Sequence, residues 1–189
     1  MKKIYLALFS ILSFTCFSQD LITSNNSFNT GFSDWGYGVW GDNNGKPVAK
    51  FEIDRIGRTD NSSFKVKVKS NTKKGQGNKA LLRRSGLKIK KGKEYTLSFW
   101  IKSLYPEDQI YVSIYSGVDT GSKNGWGALF IRDFNFEGNN KWQNVVYNFK
   151  AGEGAEGAPI DYKKLDLIFG FDKRKGSFWI DDVTITRRK

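Results

Sequence analysis

Histidine is absent from the 189-residue chain, and its only cysteine, Cys16, lies in an apolar stretch close to the N-terminus. Without histidine the chain lacks the commonest general base and the commonest metal ligand in proteins, and it cannot form a Ser–His nucleophile. A lone cysteine also excludes an intramolecular disulfide. Any catalysis or metal binding would therefore depend on carboxylates, amides, tyrosines, lysines and arginines.

The first 18 residues have the pattern of a secretory signal peptide. A basic start, "MKK", precedes the apolar run "IYLALFSILSFTCF", and small residues stand just before Gln19. The run is shorter than the ~20 residues that a membrane-spanning helix needs. The alternative, a buried N-terminal helix, fits poorly with the polar, Asn-rich sequence that follows. We expect cleavage after residue 18, a single domain over residues 19–189 and no transmembrane anchor. The protein would then be secreted or periplasmic, and it could also associate with the cell surface after export.

The charge balance favours anionic partners. The chain carries 31 Lys and Arg against 19 Asp and Glu, a formal net charge of +12. Such an excess suits acidic polysaccharide, nucleic acid or a membrane surface. For an exported protein we expect polysaccharide and no nucleic acid. Solubility alone is the competing explanation of the charge.

Short alternating runs, and no helical periodicity, follow the signal sequence. Clusters of Gly, Asn, Asp and Lys separate these runs. Nine of them predict strands, at residues 49–56, 63–70, 79–89, 94–103, 108–117, 126–136, 142–150, 164–172 and 177–186. Strands without intervening helices predict an all-β fold, an antiparallel β-sandwich of the jelly-roll type.

Alternation within two runs separates a core face from an outer face. Tyr95, Leu97, Phe99 and Ile101 would face the core in the fourth run, and Ile110, Val112 and Ile114 in the fifth. The opposite sides carry Trp100, Lys102, Tyr111 and Tyr115. Aromatic rings beside hydrogen-bonding groups suit sugar rings, so we predict that these four form one carbohydrate-binding face. Ordinary cross-strand pairing of aromatics is the alternative.

The last run, "SFWIDDVTIT", contains two adjacent carboxylates, Asp181 and Asp182. Strict alternation places one of them on the side that carries Val183 and Ile185. The sequence therefore predicts a carboxylate at the edge of the core.

Four segments carry a family resemblance: "NNSFNTGFSDW", "LKIKKGKEYTLSFWIKS", "NNKWQNVVYNF" and "FWIDDVTI", in consistent order over residues 23–186. Together they resemble the carbohydrate-binding modules of families 4, 9, 16 and 22, which are jelly-roll sandwiches. The resemblance implies a structural Ca²⁺ held by Asp181, with Asp60 and Asn29 as further ligands. The group often has Phe-Glu where this chain has Phe-Asn, so one charge is missing, and Asp181 bonded to backbone N–H groups without an ion is the alternative.

The same resemblance implies tryptophans beside the binding cleft. Trp35 or Trp40 near the start and Trp126 in mid-chain stand at comparable places, whereas Trp142 and Trp179 stand at framework positions. We therefore assign the first three to sugar stacking and the last two to packing.

The leading hypothesis is non-catalytic binding of an anionic polysaccharide that contains uronic acid or sulfate. Arginine and lysine side chains would contact its charged groups; the candidates are Arg83, Arg84, Lys102 and Arg132. The partners would be separately encoded glycan-degrading enzymes, and the protein itself a monomer. The alternative is a small jelly-roll polysaccharide lyase or glycoside hydrolase. Its carboxylates would be Asp133 with Glu137, or Glu52 with Asp54, since a hydrolase needs two across a cleft.

Overall fold

A computed structural model describes residues 19–40, 49–69, 79–104, 108–119, 126–152, 154, 157–171 and 176–188. The predicted signal peptide, residues 1–18, lies outside these ranges. The strands are β1 (Trp35–Trp40), β2 (Ala49–Asp54), β3 (Ser63–Val68), β4 (Lys79–Leu87), β5 (Glu94–Ser103), β6 (Asp108–Asp119), β7 (Trp126–Phe136), β8 (Gln143–Lys150), β9 (Leu165–Phe171) and β10 (Gly176–Arg187). Within the described ranges no helix has the length and apolar character needed to span a bilayer.

The strands form two antiparallel five-stranded sheets. Sheet A has the order β2-β3-β10-β5-β8, and sheet B has the order β1-β4-β9-β6-β7. The inner faces of the two sheets enclose one hydrophobic core. This arrangement confirms the predicted β-sandwich.

The predicted core faces of β5 and β6 are confirmed. Leu97 and Phe99 from β5, and Val112 from β6, are all fully buried. The ring of Phe99 meets Phe169 of the opposite sheet edge-on, with ring centroids 5.0 Å apart. Burying one such side chain stabilises the fold by roughly 1.5–3 kcal/mol. The sheets therefore pack through the faces on which alternation has gathered the apolar side chains.

Strand β1, "WGYGVW", is the one strand that the nine predicted runs omit. Glycine is depleted in strands, so Gly36 and Gly38 gave this segment the composition of a loop. Trp35, Tyr37 and Val39 nevertheless alternate with those glycines. That period-two pattern was the available signal for a strand.

The prediction for the Asp181–Asp182 pair is wrong in one respect. The pairing of β10 with β5 shifts between Asp181 and Thr184, and Asp182 has a φ of 47°, so a β-bulge interrupts the alternation. Asp181 pairs with Trp100 and lies on the outer side of sheet A, whereas Val183 points into the core. Asp181 is nevertheless completely buried, because loop residues cover it.

The N-terminal segment is attached along the end of β10. The backbone N–H of Leu21 donates to the carbonyl of Ile185 at 2.7 Å. Oδ1 of Asp20 accepts hydrogen bonds from the backbone N–H groups of Ile22 and Ile185, each at 3.0 Å. These bonds fix residues 20–22 beside the last strand.

Candidate functional site

Trp100, Lys102, Tyr111 and Tyr115 were predicted to share one face, but the structure places two of them on each outer face of the sandwich. Trp100 and Lys102 belong to β5 in sheet A, whereas Tyr111 and Tyr115 belong to β6 in sheet B. The outer faces of the two sheets point in opposite directions, so the prediction of one face is wrong. Alternation along a strand separates inside from outside, but it does not tell which sheet the strand joins.

The outer side of sheet B forms what we call the tyrosine face. It comprises Arg83 of β4, Tyr111, Ser113 and Tyr115 of β6, and Asp166, Ile168 and Gly170 of β9. The register brings Tyr111 opposite Gly170, Ser113 opposite Ile168, and Tyr115 opposite Asp166. Two predicted tyrosines and one predicted arginine are therefore brought together.

Tyr111 lies across the neighbouring strand. A Cβ atom added to Gly170 would fall within the ring of Tyr111, so only glycine permits this close approach. The ring therefore rests on the backbone of β9. At the other edge of the same face, a Cβ atom on Gly38 would meet nothing within 4 Å. The face is consequently shallow, with an aromatic ring laid along its surface.

A charged pair lies beside the tyrosines. Nη2 of Arg83 is 2.5 Å from Oδ2 of Asp166, whose side chain is only 8% exposed while that of Arg83 is 55% exposed. Asp166 thus holds the guanidinium at the surface and neutralises it. The pair offers hydrogen-bond donors and an acceptor to a polar ligand, without a net charge.

The outer side of sheet A, the tryptophan face, is occupied by the protein's own cations. Nζ of Lys102 lies 4.6 Å from the ring centroid of Trp179 and 5.1 Å from that of Trp142. The guanidinium of Arg58 lies 3.8 Å over Trp100. Lys102 is only 7% exposed, and burial lowers its pKa. These cation–π contacts cover the rings that a sugar would otherwise stack on.

Trp179 packs as predicted, but on the outside of sheet A and not in the core between the sheets. Its Nε1 donates to Oδ2 of Asp54 at 2.7 Å, and Nζ of Lys65 lies 5.2 Å from its ring centroid. Trp142, which directly precedes β8, contacts Lys102 on the same face. Both tryptophans therefore stabilise a surface layer.

Trp35 is a core residue, which does not fit its predicted stacking role. It is 5% exposed, its ring centroid lies 5.0 Å from that of Phe28, and its Nε1 donates to the carbonyl of Asn25 at 2.8 Å. Trp40 ends β1 and Trp126 begins β7, so both backbones belong to sheet B. The side chains of these two lie outside the part of the chain that the structure describes.

Arg132 points away from the tyrosine face. It pairs with Val112, whose side chain is in the core, and its Nε donates to the hydroxyl of Tyr147 in sheet A at 3.4 Å. Its position on the edge strand β7 leaves it exposed beside the gap between the sheets. Arg132 was predicted to contact charged groups of the glycan, and this geometry separates it from Arg83 and the tyrosine face.

The three residues predicted to bind calcium do come together. Asp181 is 0% exposed, and its carboxylate accepts hydrogen bonds from the backbone N–H groups of Arg58 at 2.7 Å and Asp182 at 2.8 Å. The pKa of Asp181 is raised from 3.8 to about 7, chiefly by burial; the neighbouring carboxylates Asp182 and Asp60 contribute to this rise, and the two backbone hydrogen bonds oppose it. Oδ2 of Asp60 accepts a hydrogen bond from Asn29 at 2.7 Å.

The chemistry of this cluster fits a hard cation. Asp181, Asp60 and Asn29 supply carboxylate and amide oxygens, and the hydroxyl of Ser62 lies 2.5 Å from Oδ1 of Asn29, which are the donor types that Ca²⁺ prefers. A Cβ atom on Gly57 would meet oxygens of Asp60 and Ser62, so several oxygens converge there. In the described ranges, no three acidic, histidine or cysteine side chains gather as a metal cluster, so amide and carbonyl oxygens would have to complete the shell.

Neither carboxylate pair suits glycoside hydrolysis. Hydrogen bonds from Lys50 and Lys65 lower the pKa of Glu52. Burial by itself raises the pKa of Asp54, but hydrogen bonds from Trp179 and Lys65 bring it below its usual value. A general acid needs a raised pKa.

The second pair does not face across a cleft. Asp133 lies within β7, Glu137 directly follows that strand, and Glu137 accepts a hydrogen bond from Asn139. Both residues are exposed along one edge strand with their Cα atoms about 13 Å apart, whereas a hydrolase needs two carboxyls on either side of the scissile bond.

Comparison with known proteins gives one family match. Residues 23–161 match the family model CBM_4_9, described as a carbohydrate binding domain. No curated protein sequence matches the chain.

Several solved structures share the fold. The CBM22-1 xylan-binding domain from Paenibacillus barcinonensis Xyn10C has a TM-score of 0.55 at 14% identity, over 91% of this chain and 96% of its own. TmCBM61, in complex with β-1,4-galactotriose, has a TM-score of 0.55 at 16% identity, over 90% of this chain and 100% of its own. The enzymatically active domain of tailspike protein 4 from bacteriophage CBA120 has a TM-score of 0.61 at 17% identity, over 87% of this chain but 21% of its own. This chain thus spans about a fifth of the tailspike structure, and at these identities the likeness extends to the fold alone.

Proposed function

The chain belongs to the carbohydrate-binding domain family, and on that premise we propose that it binds a polysaccharide, without cleaving it, on the tyrosine face of sheet B. The observation that carries this assignment is the ring of Tyr111 laid over the backbone of Gly170. An aromatic ring packed over a sheet in this way is a surface of the kind on which the C–H face of a sugar stacks.

Polar groups beside the ring supply the rest of a sugar site. The Arg83–Asp166 pair offers a guanidinium and a carboxylate, which suit hydroxyl groups at the rim of a stacked sugar. The glycines of β1 keep the face open along its edge. An extended glycan chain could therefore lie across the strands.

The tryptophan face supports this choice by contrast. Its indole rings are paired with Arg58, Lys65 and Lys102, so a sugar would have to displace these cations before it could stack. Each exposed cation–π contact stabilises by about 0.5–1 kcal/mol, and more when desolvated. On the tyrosine face the guanidinium of Arg83 is bonded to the carboxylate of Asp166.

We further propose a structural Ca²⁺ at Asp181, Asp60 and Asn29. A fully buried carboxylate with a pKa near 7 is half-charged at neutral pH, and a bound cation would stabilise the charged form. The ion would tie the N-terminal segment and the loop after β2 to the end of β10. We also keep export, a monomeric state and cooperation with separately encoded glycan-degrading enzymes as parts of this proposal.

The test is affinity electrophoresis of the protein in gels that contain laminarin, xylan, alginate or carrageenan. We expect Tyr111→Ala to weaken the affinity measured from retardation by several-fold to about tenfold, since stacking on an aromatic ring contributes about 0.5–1.5 kcal/mol beyond the area it buries. The control is Trp100→Ala, which removes an aromatic from the tryptophan face and should change retardation less than about twofold. A larger loss with Trp100→Ala would move the site to sheet A.

The same samples test the enzymatic alternative. Reducing-end and unsaturated-product assays on each polysaccharide should detect no release of product. Product formation that Tyr111→Phe abolishes would identify a lyase and overturn non-catalytic binding, because a phenolic group can act as a general acid or base in proton transfer.

A further inference from the structure

A basic cavity lies at the end of the sandwich where β4 and β10 finish and the N-terminal segment is attached. Its volume is about 820 Å³, within the range of ligand pockets. Five basic side chains line it, namely Arg84, Lys88, Lys90, Arg187 and Arg188, together with the carboxylate of Asp20. None of these residues belongs to the tyrosine face.

A β-bulge aims the lysines into this cavity. The pairing of β4 with β9 shifts between Arg84 and Leu87, and Gly86 takes a φ of 77°, a conformation that disfavours other residues. Beyond the bulge Leu87 and Ile89 are buried, whereas Lys88 and Lys90 are exposed. The two lysines therefore point to the same side, about 7 Å apart along the extended chain. Bulges commonly re-aim side chains beside functional sites.

The acidic groups nearby do not neutralise the lysines. Asp20 uses Oδ1 to accept two backbone N–H bonds. Glu94 is 3.6 Å from Arg188, and both side chains are about half exposed, so that pair is a weak surface contact. In the described ranges neither Lys88 nor Lys90 is found in an ion pair.

Arg84 is fixed in the cavity wall. Its Nη2 donates to Oγ of Ser24 at 2.9 Å, and its Nη1 lies 3.3 Å from Oδ2 of Asp34 without an aligned hydrogen bond. The side chain of Arg84 is 12% exposed. Arg84 is thus already paired with Asp34 and forms part of the wall, so the charge offered to a ligand here comes from the ammonium groups of Lys88 and Lys90.

We propose that this cavity is a second site, which binds the sulfate or carboxylate groups of an acidic polysaccharide. It rests on the proposed function, since it takes the ligand to be a glycan. It would supply the preference for acidic polysaccharide that the excess of basic residues predicts, which the neutral Arg83–Asp166 pair would not. Ammonium and guanidinium groups form charge-assisted hydrogen bonds to such oxyanions. Nucleic acid is disfavoured because its single strands bind through bases stacked on exposed aromatics, and the cavity's one aromatic side chain, Tyr95, is buried.

The experiment compares Lys88→Ala/Lys90→Ala with Lys67→Ala/Lys69→Ala in the full chain. Both variants remove two exposed lysines that stand two residues apart, so they change the net charge equally, but Lys67 and Lys69 lie along β3 and directly after it, outside the cavity. Binding to sulfated carrageenan, uronate-rich alginate, neutral laminarin and oligo-dT is measured at about 50 and about 200 mM salt, the range over which charge contacts show a clear salt dependence. Melting temperatures verify that both variants are folded.

We expect Lys88→Ala/Lys90→Ala to weaken binding to carrageenan or alginate about tenfold or more and to reduce its salt dependence, while binding to laminarin is unchanged. Lys67→Ala/Lys69→Ala should change acidic binding less than about twofold, and Lys88→Arg/Lys90→Arg should retain it. Whichever acidic polymer responds identifies sulfate or carboxylate as the group bound.

Equal losses in the two alanine variants would overturn the inference, because the charge would then act only through the general field of the protein. Binding of oligo-dT as strong as that of carrageenan would also overturn it. If the cavity variant binds laminarin and the acidic polymers as wild type does, the cavity is not a binding site, whereas the proposed site on the tyrosine face is unaffected. Wild-type protein that binds none of the polysaccharides would instead refute the proposed function itself.

Discussion

The ring of Tyr111 in β6 covers the backbone of Gly170 in the neighbouring strand β9, at a point where any side chain on residue 170 would overlap the ring. Gly170→Ala should therefore displace the ring and strain the sheet, destabilising the fold by about 1–3 kcal/mol. Glycan binding should weaken with it. The measurement is urea unfolding together with affinity electrophoresis.

Gly38→Ala is the matched control for that substitution. Gly38 lies in the same sheet, but a Cβ atom there would meet nothing within 4 Å. We expect its stability to stay within about 0.5 kcal/mol of wild type, as for surface changes in general. A Gly170→Ala protein that is as stable as Gly38→Ala and binds as tightly as wild type would contradict the role assigned to the Tyr111–Gly170 contact.

Trp35 should matter for stability and not for recognition. Trp35→Phe keeps an aromatic ring but leaves space beside Phe28 and removes the hydrogen bond from Nε1 to Asn25. The loss of packing and of one hydrogen bond predicts a destabilisation of about 2 kcal/mol, with unchanged polysaccharide affinity. Denaturant unfolding and affinity gels on the same sample test both parts. Weaker glycan binding by a fully folded Trp35→Phe protein would show that the core assignment is incomplete.

Asp181 predicts a pH dependence that calcium reverses. Its pKa is raised from 3.8 to about 7 in the folded protein, so between these values the folded state holds a proton that the unfolded state has released. In the presence of chelator this group therefore makes the free energy of unfolding fall as pH rises from about 4 to about 7. Calcium binds the charged carboxylate, so it should raise the melting temperature more at about pH 8 than at about pH 5.

Asp181→Asn tests that explanation because it removes the charge and keeps the shape. The calcium response should disappear in this variant, whereas it should persist in Glu137→Gln, which alters an exposed carboxylate beyond β7. Melting curves with calcium and with chelator give the answer. If calcium does not change the melting temperature of the wild-type protein at any pH, the proposed calcium site is refuted. Asp181 would then be a buried carboxyl that accepts hydrogen bonds from backbone N–H groups alone.

Lys102 predicts a pH dependence in the alkaline range. Burial lowers its pKa below 10.5, and Lys65 acts in the same direction while Asp54 opposes it. The folded protein releases this proton before the unfolded chain does, so the group makes stability rise with pH as it approaches the ordinary lysine pKa. Lys102→Met should remove that rise and cost less than about 1 kcal/mol near neutral pH, since an apolar side chain can occupy the space between Trp142 and Trp179. Urea unfolding from neutral to alkaline pH, compared between the two proteins, measures it.

Much of the fold could be predicted from local pattern. Alternating residues located nine strands, and the buried sides of β5 and β6 were assigned correctly because a strand has only two sides. The meeting of Asp181, Asp60 and Asn29 was also predictable in outline, since the family resemblance pointed to these three residues, whereas calcium binding by them stays a prediction. The basic cavity was not predicted, because Lys88 and Lys90 acquire their direction from a bulge in β4; the glycine at position 86, inside a predicted strand, was the available signal for it.

The sequence by itself determined that this chain forms strands, which sides of β5 and β6 are buried, and that the chain carries an excess of positive charge. Only the tertiary structure decided which strands share a sheet. It placed Trp100 and Tyr111 on opposite faces, turned Trp35 into a core residue, and paired Arg83 with Asp166. The physical reason is that alternation is a property of one strand and is fixed locally, whereas sheet membership depends on hydrogen bonds between segments far apart in the chain.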